Sequence, residues 1–234
     1  MKELFVCEKP SQAQDYAAAL SGKYEKKNGY LLGEDGKVFT YAFGHLVKVK
    51  GPDQLNWKAD IETLPYFEKN MALSIIEDKK KQFNIIVDLM KKAETIVIST
   101  DAGREGEHIF RKIYKLSGVK KPLKRLWVQD NTVSGIKKAY SRIREGSEYE
   151  GLATAGQLRE EADFLVGVNS TILATRLSAS RTPISLGRVQ TPTLSMIVKR
   201  DYTIENFKKV EHYTISAPIK KQGLGEFELV LEKD

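Results

Sequence analysis

Acidic side chains follow two apolar segments of the sequence, and their spacing could bring carboxylates together. Glu8 comes directly after the short run 4–7 (LFVC), and Asp101 and Glu105 follow the β-branched run 95–100 (TIVIST). Runs of this kind are typical of buried strands, and ligands bind beyond the carboxyl ends of strands in open parallel sheets. Carboxylate oxygens from separate loops are the ligands that Mg²⁺ prefers. The sequence therefore predicts a Mg²⁺ site built by Glu8, Asp101 and Glu105.

The same acids have a second interpretation that needs no metal. Asp101 and Glu105 would stand at the start of the helix predicted over 106–116, where the helix dipole stabilises negative charge. Glu107 lies on that helix, and we interpret it as a structural residue rather than a direct ligand. The residue types alone leave both interpretations open.

The composition is typical of a soluble globular chain with an excess of positive charge. Of its 234 residues, 41% are hydrophobic and 29% are charged, and the net charge is +7 with a pI near 9.2. Positive charge of this size attracts polyanions such as nucleic acid. A solvated basic surface would give the same net charge and pI, so the charge by itself does not establish the partner.

Cysteine usage and hydropathy indicate the compartment. The apolar runs are shorter than the ~20 residues that cross a bilayer, and the first residues lack the core of a signal peptide. Cys7 is the only cysteine, so an internal disulfide is excluded and a reducing cytoplasm is expected. With three histidines beside it, a structural zinc site is not expected. We therefore predict a cytoplasmic protein without a membrane partner.

Strand and helix patterns alternate in the first part of the chain and predict a parallel α/β sheet with flanking helices. Strands are predicted at 4–7, 95–100 and 123–128, a hairpin-like excursion over 30–50, and a loop over 51–65. Helices are predicted over 13–20, 71–93, 106–116 and 132–143. Two helices without a strand between them follow at 158–177 and 189–202, and strand alternation returns from His212. We divide the chain into an α/β domain over 1–150, a helical segment over 151–208, and the opening strands of a further element over 209–234.

Four segments resemble motifs of type IA DNA topoisomerases, and they occur in the family's order. The segments are 6–11 (VCEKPS), 43–46 (FGHL), 99–107 (STDAGREGE) and 184–194 (ISLGRVQTPTL). They span almost the entire chain, and the Glu-Lys-Pro-Ser beginning points to the topoisomerase III branch. The resemblance implies a Rossmann-like Toprim domain, then a helical DNA-binding segment, then the first strands of the strand-gate domain.

The resemblance also implies catalytic roles at the strand ends, carried by Glu8, Lys9 and Arg104. Glu8 matches the acid near the scissile phosphate. Lys9 matches the lysine that contacts this phosphate and protonates the leaving 3′ oxygen, which helps because an alkoxide leaves poorly unless it is protonated. Mg²⁺ would be held by Glu8, Asp101 and Glu105, and no nucleotide cofactor is implied.

Contacts to single-stranded or negatively supercoiled DNA are implied for a second group of residues. Arg159 and Asp163 stand four residues apart, which by itself predicts only a helix-surface ion pair worth about 0.3 kcal/mol. The resemblance places this pair beside the path of the strand, where phosphate contacts position DNA without reading its sequence. His45 has two open interpretations, a DNA contact or a hydrogen-bonding loop histidine. The implied DNA-binding residues are His45, Arg159, Asp163, Ser185, Arg188 and Gln190.

One position departs from the family's usual pattern. The wider family has Asp-x-Asp-x-Glu, whereas this chain has Gly103 at the middle position. Glycine has no side chain with which to bind a metal, although similar variants occur in the topoisomerase III branch. Three acids suit one Mg²⁺ that keeps several waters better than two tightly held ions.

The matched segments contain no candidate for the tyrosine with which type IA enzymes cleave DNA. That tyrosine is followed two residues later by an arginine, and of the ten tyrosines only Tyr140, with Arg142, has this spacing. Tyr140 falls on a predicted amphipathic helix, and we interpret it as a packing residue. We therefore expect this chain alone neither to nick nor to relax negatively supercoiled DNA.

Two functions remain open. The chain is either the N-terminal part of an ATP-independent topoisomerase that cleaves, passes and reseals DNA strands, or a stand-alone Toprim module that binds Mg²⁺ and nucleic acid without turnover. The strand pattern that runs up to Asp234 favours the first, because an unpaired sheet edge is a liability for an independent protein.

Overall fold

The computed structural model describes residues 1–50, 58–68, 71–211, 213–223 and 225–230. Contacts divide the chain into two compact units, Met1–Arg188 and Val189–Asp234. The first seven residues of the loop predicted over 51–65, His212 and Asp234 lie outside the described residues. Among the described helices, none combines the length and the apolar character that a membrane crossing requires.

The first unit is built on a mixed sheet. Its strands are β1 (Glu3–Cys7), β2 (Tyr24–Lys27), β3 (Tyr30–Gly33), β4 (Val38–Tyr41), β5 (Val47–Lys50), β6 (Ala72–Ile75), β7 (Thr95–Ser99), β8 (Leu123–Arg125) and β9 (Arg144–Glu145). Seven of them form one sheet in the order β2-β3-β4-β1-β7-β8-β9. The four central strands are parallel, and the outer pairs are antiparallel. The predicted α/β fold with a parallel sheet is confirmed.

Helices cover both faces of this sheet. They are α1 (Pro10–Ser21), α2 (Lys80–Lys92), α3 (Arg104–Ser117), α4 (Val133–Tyr140) and the long α5 (Glu150–Leu177). Successive side chains of a strand point to opposite faces, and β1 shows the result. Leu4 and Val6 pack in a core with α2 and α3, whereas Phe5 and Cys7 pack in a second core with α1 and α4. Burial on both faces explains why β1 is continuously apolar.

The helix predicted over 71–93 is wrong in its first part. Residues Ala72–Ile75 form β6, which pairs antiparallel with β5 and places Ile75 opposite Val47. The helix proper, α2, begins only at Lys80. The apolar residues at the start of this segment therefore belong to a pair of strands. Their spacing in the sequence is compatible with a helix and does not indicate this pairing.

Smaller differences concern the bounds of other elements. β8 ends at Arg125, earlier than the strand predicted over 123–128, and α5 begins at Glu150 rather than at Leu158. The short strands β2 and β9 had no counterpart in the prediction. Both lie at the edges of the sheet, where burial on two faces does not impose an apolar run.

The second unit consists of one helix and one hairpin. The helix α6 spans Gln190–Glu205, and the strands β10 (Ser216–Lys221) and β11 (Gly225–Val230) pair antiparallel. Its helix and strands agree with the elements predicted there. The division at residues 150 and 208 stays a prediction.

Candidate active site

Glu8 and Asp101 meet where β1 and β7 end side by side. The two strands are parallel, with Cys7 opposite Ser99, so the residues that follow them leave the same edge of the sheet. The backbone N–H of Asp101 donates to Oε2 of Glu8 at 3.1 Å. Lys9 Nζ lies 3.6 Å from Oδ2 of Asp101, and both side chains are about half exposed. The structure thus brings three of the predicted site residues into contact.

Gln12, which the sequence analysis did not single out, orients both acids. Its Oε1 accepts a hydrogen bond from the backbone N–H of Glu8 at 2.8 Å, and its Nε2 donates to Oδ1 of Asp101 at 2.8 Å. Gln12 is buried on the inner face of α1. Its position four residues after Glu8, one turn into the helix, was the signal that could have found it.

The electrostatics of this edge favour a cation. The pKa of Glu8 is raised by burial and also by the nearby carboxylates of Asp101 and Glu105, although the Asp101 amide and Lys9 act in the opposite direction. Within the described residues, no three His, Cys, Asp or Glu side chains converge closely enough to enclose a metal ion. Carboxylates grouped this loosely would hold a cation that keeps several waters among its ligands, which is the usual mode for Mg²⁺.

Glu105 reaches the same edge from the first turn of α3 and is bound by His45. The His45 Nε2 and Glu105 Oε1 atoms are 2.7 Å apart. The loop that carries His45 is fixed by Lys79, whose Nζ donates to the carbonyl oxygens of Phe43 and His45 at 3.0 and 3.1 Å. Of the two interpretations of His45, the hydrogen-bonding one describes its side chain in this structure. Its contact with DNA stays a prediction.

A chain of partly buried polar contacts continues from His45 into α5. Lys112 Nζ lies 3.0 Å from His45 Nδ1 and donates to Glu160 Oε1 at 2.5 Å. Glu160 Oε2 is 2.8 Å from His108 Nε2. Burial opposes the ionisation of Glu160, but the hydrogen bonds from His108 and Lys112 outweigh it and lower its pKa to about 2. His108 is only 4% exposed and is therefore a core residue, although nothing in its sequence neighbourhood indicates burial.

Glu107 is a structural residue, as the sequence analysis favoured. Its side chain is fully buried, with Oε2 3.0 Å from Arg125 Nε and Oε1 accepting from Arg111 Nε at 2.9 Å. Arg125 is equally buried and donates to the carbonyl oxygens of Thr100 and Asp101 at 2.9 and 2.8 Å. Arg125, which the sequence analysis missed, therefore holds the backbone of the segment that carries Asp101.

Two glycines in the acidic motif have opposite surroundings. A Cβ at Gly106 would lie 2.2 Å from the carbonyl oxygen of Asp101, so glycine is required for α3 to approach the end of β7 this closely. A Cβ at Gly103 would meet nothing within 4 Å. The position where the wider family carries aspartate therefore has room for a side chain.

Two arginines, Arg159 and Arg188, contact Asp163 on α5. Arg188 Nε donates to Asp163 Oδ1 at 2.6 Å, and Arg159 Nε lies 3.7 Å from Oδ2. The hydrogen bond from Arg188 is the main cause of the lowered pKa of Asp163, and the charges of Arg188, Arg159 and Arg104 add to it. The charge of Arg104, at the start of α3, thus acts on the same carboxylate as the two arginines predicted to contact DNA.

The segment that carries Arg188 is tied along α5 by threonine hydroxyls. The backbone N–H of Ile184 donates to Oγ1 of Thr175 at 2.8 Å, and that of Leu186 donates to Oγ1 of Thr171 at 3.0 Å. Ser185, between them, is exposed. Gln190 is the first residue of α6, in the second unit. The DNA-binding roles of Ser185 and Gln190 stay predictions.

Tyr140, the last residue of α4, is partly buried and packs towards β1. Its hydroxyl donates to Oε2 of Glu3 at 2.7 Å, and its ring packs against Phe5 with centroids 6.0 Å apart. Burial, together with Glu3, raises the pKa of Tyr140 to about 12. These contacts are those of a packing residue and keep the hydroxyl protonated at neutral pH.

Comparison with known proteins agrees with this geometry. Residues 3–131 match the family described as the Toprim domain, and residues 147–233 match the family described as DNA topoisomerase. DNA topoisomerase 3 of Bacillus subtilis is 41% identical over 226 residues, covering 93% of this chain and 30% of that protein. DNA topoisomerase 3 of Staphylococcus epidermidis is 40% identical over 224 residues, covering 92% of this chain and 30% of that protein.

A solved structure shares the fold. Full-length topoisomerase I from Thermotoga maritima superposes with a TM-score of 0.58 at 23% identity, over 92% of this chain and 32% of that one. A central parallel sheet with acids at its strand ends and helices on both faces defines a Toprim-type α/β protein. The chain belongs to the Toprim-bearing type IA DNA topoisomerases and corresponds to the N-terminal part of the topoisomerase 3 relatives, of whose length it spans about 30%.

Proposed function

We propose that this chain supplies the acidic half of the active site of an ATP-independent type IA topoisomerase, which cleaves, passes and reseals single DNA strands. The observation that carries the proposal is the contact of Glu8, Lys9 and Asp101 at the paired ends of β1 and β7. The whole enzyme would be an isomerase that relaxes negative supercoils or decatenates DNA. Because DNA is the substrate, we propose a cytoplasmic location.

Lys9 is suited to act on the leaving oxygen. Its side chain is 56% exposed, and its ammonium group lies beside Asp101, so the group can reach a bound phosphate. In the proposed role it donates its proton to the 3′ oxygen as that oxygen leaves phosphorus and the tyrosine oxygen of the whole enzyme bonds to phosphorus in its place. Glu8, Asp101 and Glu105 would hold Mg²⁺, which would neutralise phosphate charge near the reacting bond.

The first prediction concerns Mg²⁺ binding by the chain. Asp101→Asn and Glu105→Gln should each weaken Mg²⁺ binding about tenfold, because each removes a charged oxygen ligand. Isothermal titration calorimetry measures the affinity. Glu148→Gln, which changes an exposed acid distant in sequence from the motif, is the matched control and should leave the affinity unchanged. Equal affinity in all variants would favour the interpretation in which the acids only stabilise the start of α3.

Gly103→Asp is expected to strengthen Mg²⁺ binding in the same experiment. A side chain there has open space around it, and a further carboxylate at this edge should raise Mg²⁺ affinity. Gly103→Asn has similar size without the charge, and it should not raise the affinity. If both variants bind Mg²⁺ as the unaltered chain does, the metal does not approach residue 103.

The second prediction concerns single-stranded DNA, which we propose as the partner. Binding should weaken steeply as salt rises, because phosphate contacts release counterions. Arg188→Ala should weaken binding about equally for different base sequences and lower the slope of log affinity against log salt by roughly one unit. Arg159→Ala should have a smaller effect of the same kind. Fluorescence anisotropy with labelled oligonucleotides at several salt concentrations measures both quantities.

Lysines at the opposite end of the sheet supply the control for this measurement. Lys120 and Lys121 precede β8, whereas the acids follow the carboxyl ends of β1 and β7. Lys120→Ala and Lys121→Ala should therefore change DNA binding little. If they weaken it as much as Arg188→Ala does, the attraction is diffuse charge and the proposed DNA path is wrong.

A further inference from the structure

We propose that Lys112 is a positioning residue for Glu105, because its ammonium group holds His45 in the tautomer that donates a hydrogen bond to that carboxylate. The inference rests on the proposed function in one respect, namely that Glu105 is a metal ligand. Lys112 itself touches neither the acids at the strand ends nor the arginines around Asp163 in any contact described above, and it acts through His45.

The hydrogen-bonding capacities of the three groups determine the direction of each bond. A lysine ammonium has three donors and no acceptor. Lys112 Nζ lies 3.0 Å from Nδ1 of His45, so Nδ1 must be the unprotonated nitrogen and must accept. In a neutral ring the proton then resides on Nε2. That nitrogen lies 2.7 Å from Oε1 of Glu105 and donates to it.

Because the ammonium group of Lys112 is buried, it must stay beside the groups that pair with it. Lys112 is 4% exposed, and a buried charge is costly unless it is paired and hydrogen-bonded. Glu160 provides the partner charge at 2.5 Å and is itself bound by His108. Helix α5 comes close enough to α3 for this pairing because residue 156 is a glycine. A Cβ at Gly156 would lie 2.7 Å from the Cβ of His108.

The contact has a chemical consequence for Glu105. A neutral ring that donates one hydrogen bond fixes the orientation of a carboxylate without cancelling its charge. Oε1 is occupied by His45, and the other oxygen is left to face a cation. The same logic applies to histidines and carboxylates around metal sites generally, where outer partners orient the ligands and affect affinity by about 10–100-fold.

Nitrogen NMR of the histidine rings tests the inference directly. With ¹⁵N-labelled histidine, the ring shifts of His45 should report the Nε2–H tautomer in the unaltered chain, at a pH above the range in which histidine titrates. The His45 signals are assigned by their loss in His45→Gln. Lys112→Met should convert His45 to a mixture of tautomers and weaken Mg²⁺ binding about tenfold. Lys115→Met, an exposed lysine on the same helix, should change neither.

Retention of the Nε2–H tautomer in a folded Lys112→Met variant would overturn the inference. If that variant does not fold because Glu160 has lost its partner, the double variant Lys112→Met with Glu160→Gln removes both charges and provides the same measurement. Lys112→Arg keeps donors near Nδ1 and should preserve the tautomer. If the unaltered chain binds no Mg²⁺, the proposed metal site fails, whereas the tautomer measurement still decides whether Lys112 positions His45.

Discussion

Replacement of Gly106 by alanine is expected to destabilise the first unit by about 3 kcal/mol, an overpacking penalty. The added methyl group would lie 2.2 Å from the carbonyl oxygen and 2.9 Å from the nitrogen of Asp101, both backbone atoms that cannot rotate away. Helix propensity alone predicts the opposite sign, since alanine is favoured over glycine inside a helix by about 1 kcal/mol. The sign of the change therefore tests the close approach of α3 to the end of β7.

Urea denaturation of Gly106→Ala measures this effect, and Gly103→Ala is the matched control. Gly103 has an extended backbone and open space around it, so the control should lose less than about 1 kcal/mol, the usual cost of alanine at a helix N-cap. The folded Gly106→Ala chain should also bind Mg²⁺ more weakly, because Asp101 must move. A stabilised Gly106→Ala variant would show that α3 and the Asp101 backbone are further apart than described.

Arg125→Met should destabilise the first unit by about 3–5 kcal/mol, because it leaves one partner of a buried ion pair behind. Glu107, fully buried, would lose one of its two charged partners among the described residues and keep Arg111. The carbonyl oxygens of Thr100 and Asp101 would also lose the donors that Arg125 provides. The segment carrying Asp101 should consequently become more mobile, which amide hydrogen exchange can detect.

A double variant separates the two causes of this loss. Arg125→Met combined with Glu107→Gln removes the uncompensated charge, so it should be less destabilised than Arg125→Met alone. Arg144→Met is the control, because Arg144 forms an exposed pair with Glu148 and such pairs contribute at most about 1 kcal/mol. If the double variant is no more stable than the single one, the lost bonds to carbonyl oxygens, rather than the buried charge of Glu107, account for the effect.

The elements that carry the acids could be predicted from sequence because their signals are local. Residues 4–7 are continuously apolar and residues 95–98 are a β-branched run, and burial on both faces of a central parallel strand favours such patterns. Acids that directly follow such strands must lie at one edge of the sheet. The convergence of Glu8 and Asp101 therefore required no knowledge of the other elements.

The remainder of the site depends on contacts between distant segments. The strand Ala72–Ile75 has the local spacing of a helix, and its strand partner, Val47–Lys50, lies far away in sequence. Arg125 and Lys112 are charged residues in the interior, and nothing in their immediate neighbours indicates the carbonyl oxygens or the Glu160 carboxylate that compensate them. A weak signal existed for Lys112, since His108 lies four residues earlier on the same face of α3.

The open space around Gly103 has an evolutionary consequence. Glycine and aspartate codons differ by a single nucleotide, and a side chain at this position would meet no neighbouring atom within 4 Å. Exchange between the two residues therefore requires neither compensating substitutions in the core nor passage through a misfolded ancestor. Lineages of this fold can gain or lose one carboxylate at the edge of the sheet in one mutational step, so the number of acids there is free to drift or to be selected independently of the scaffold.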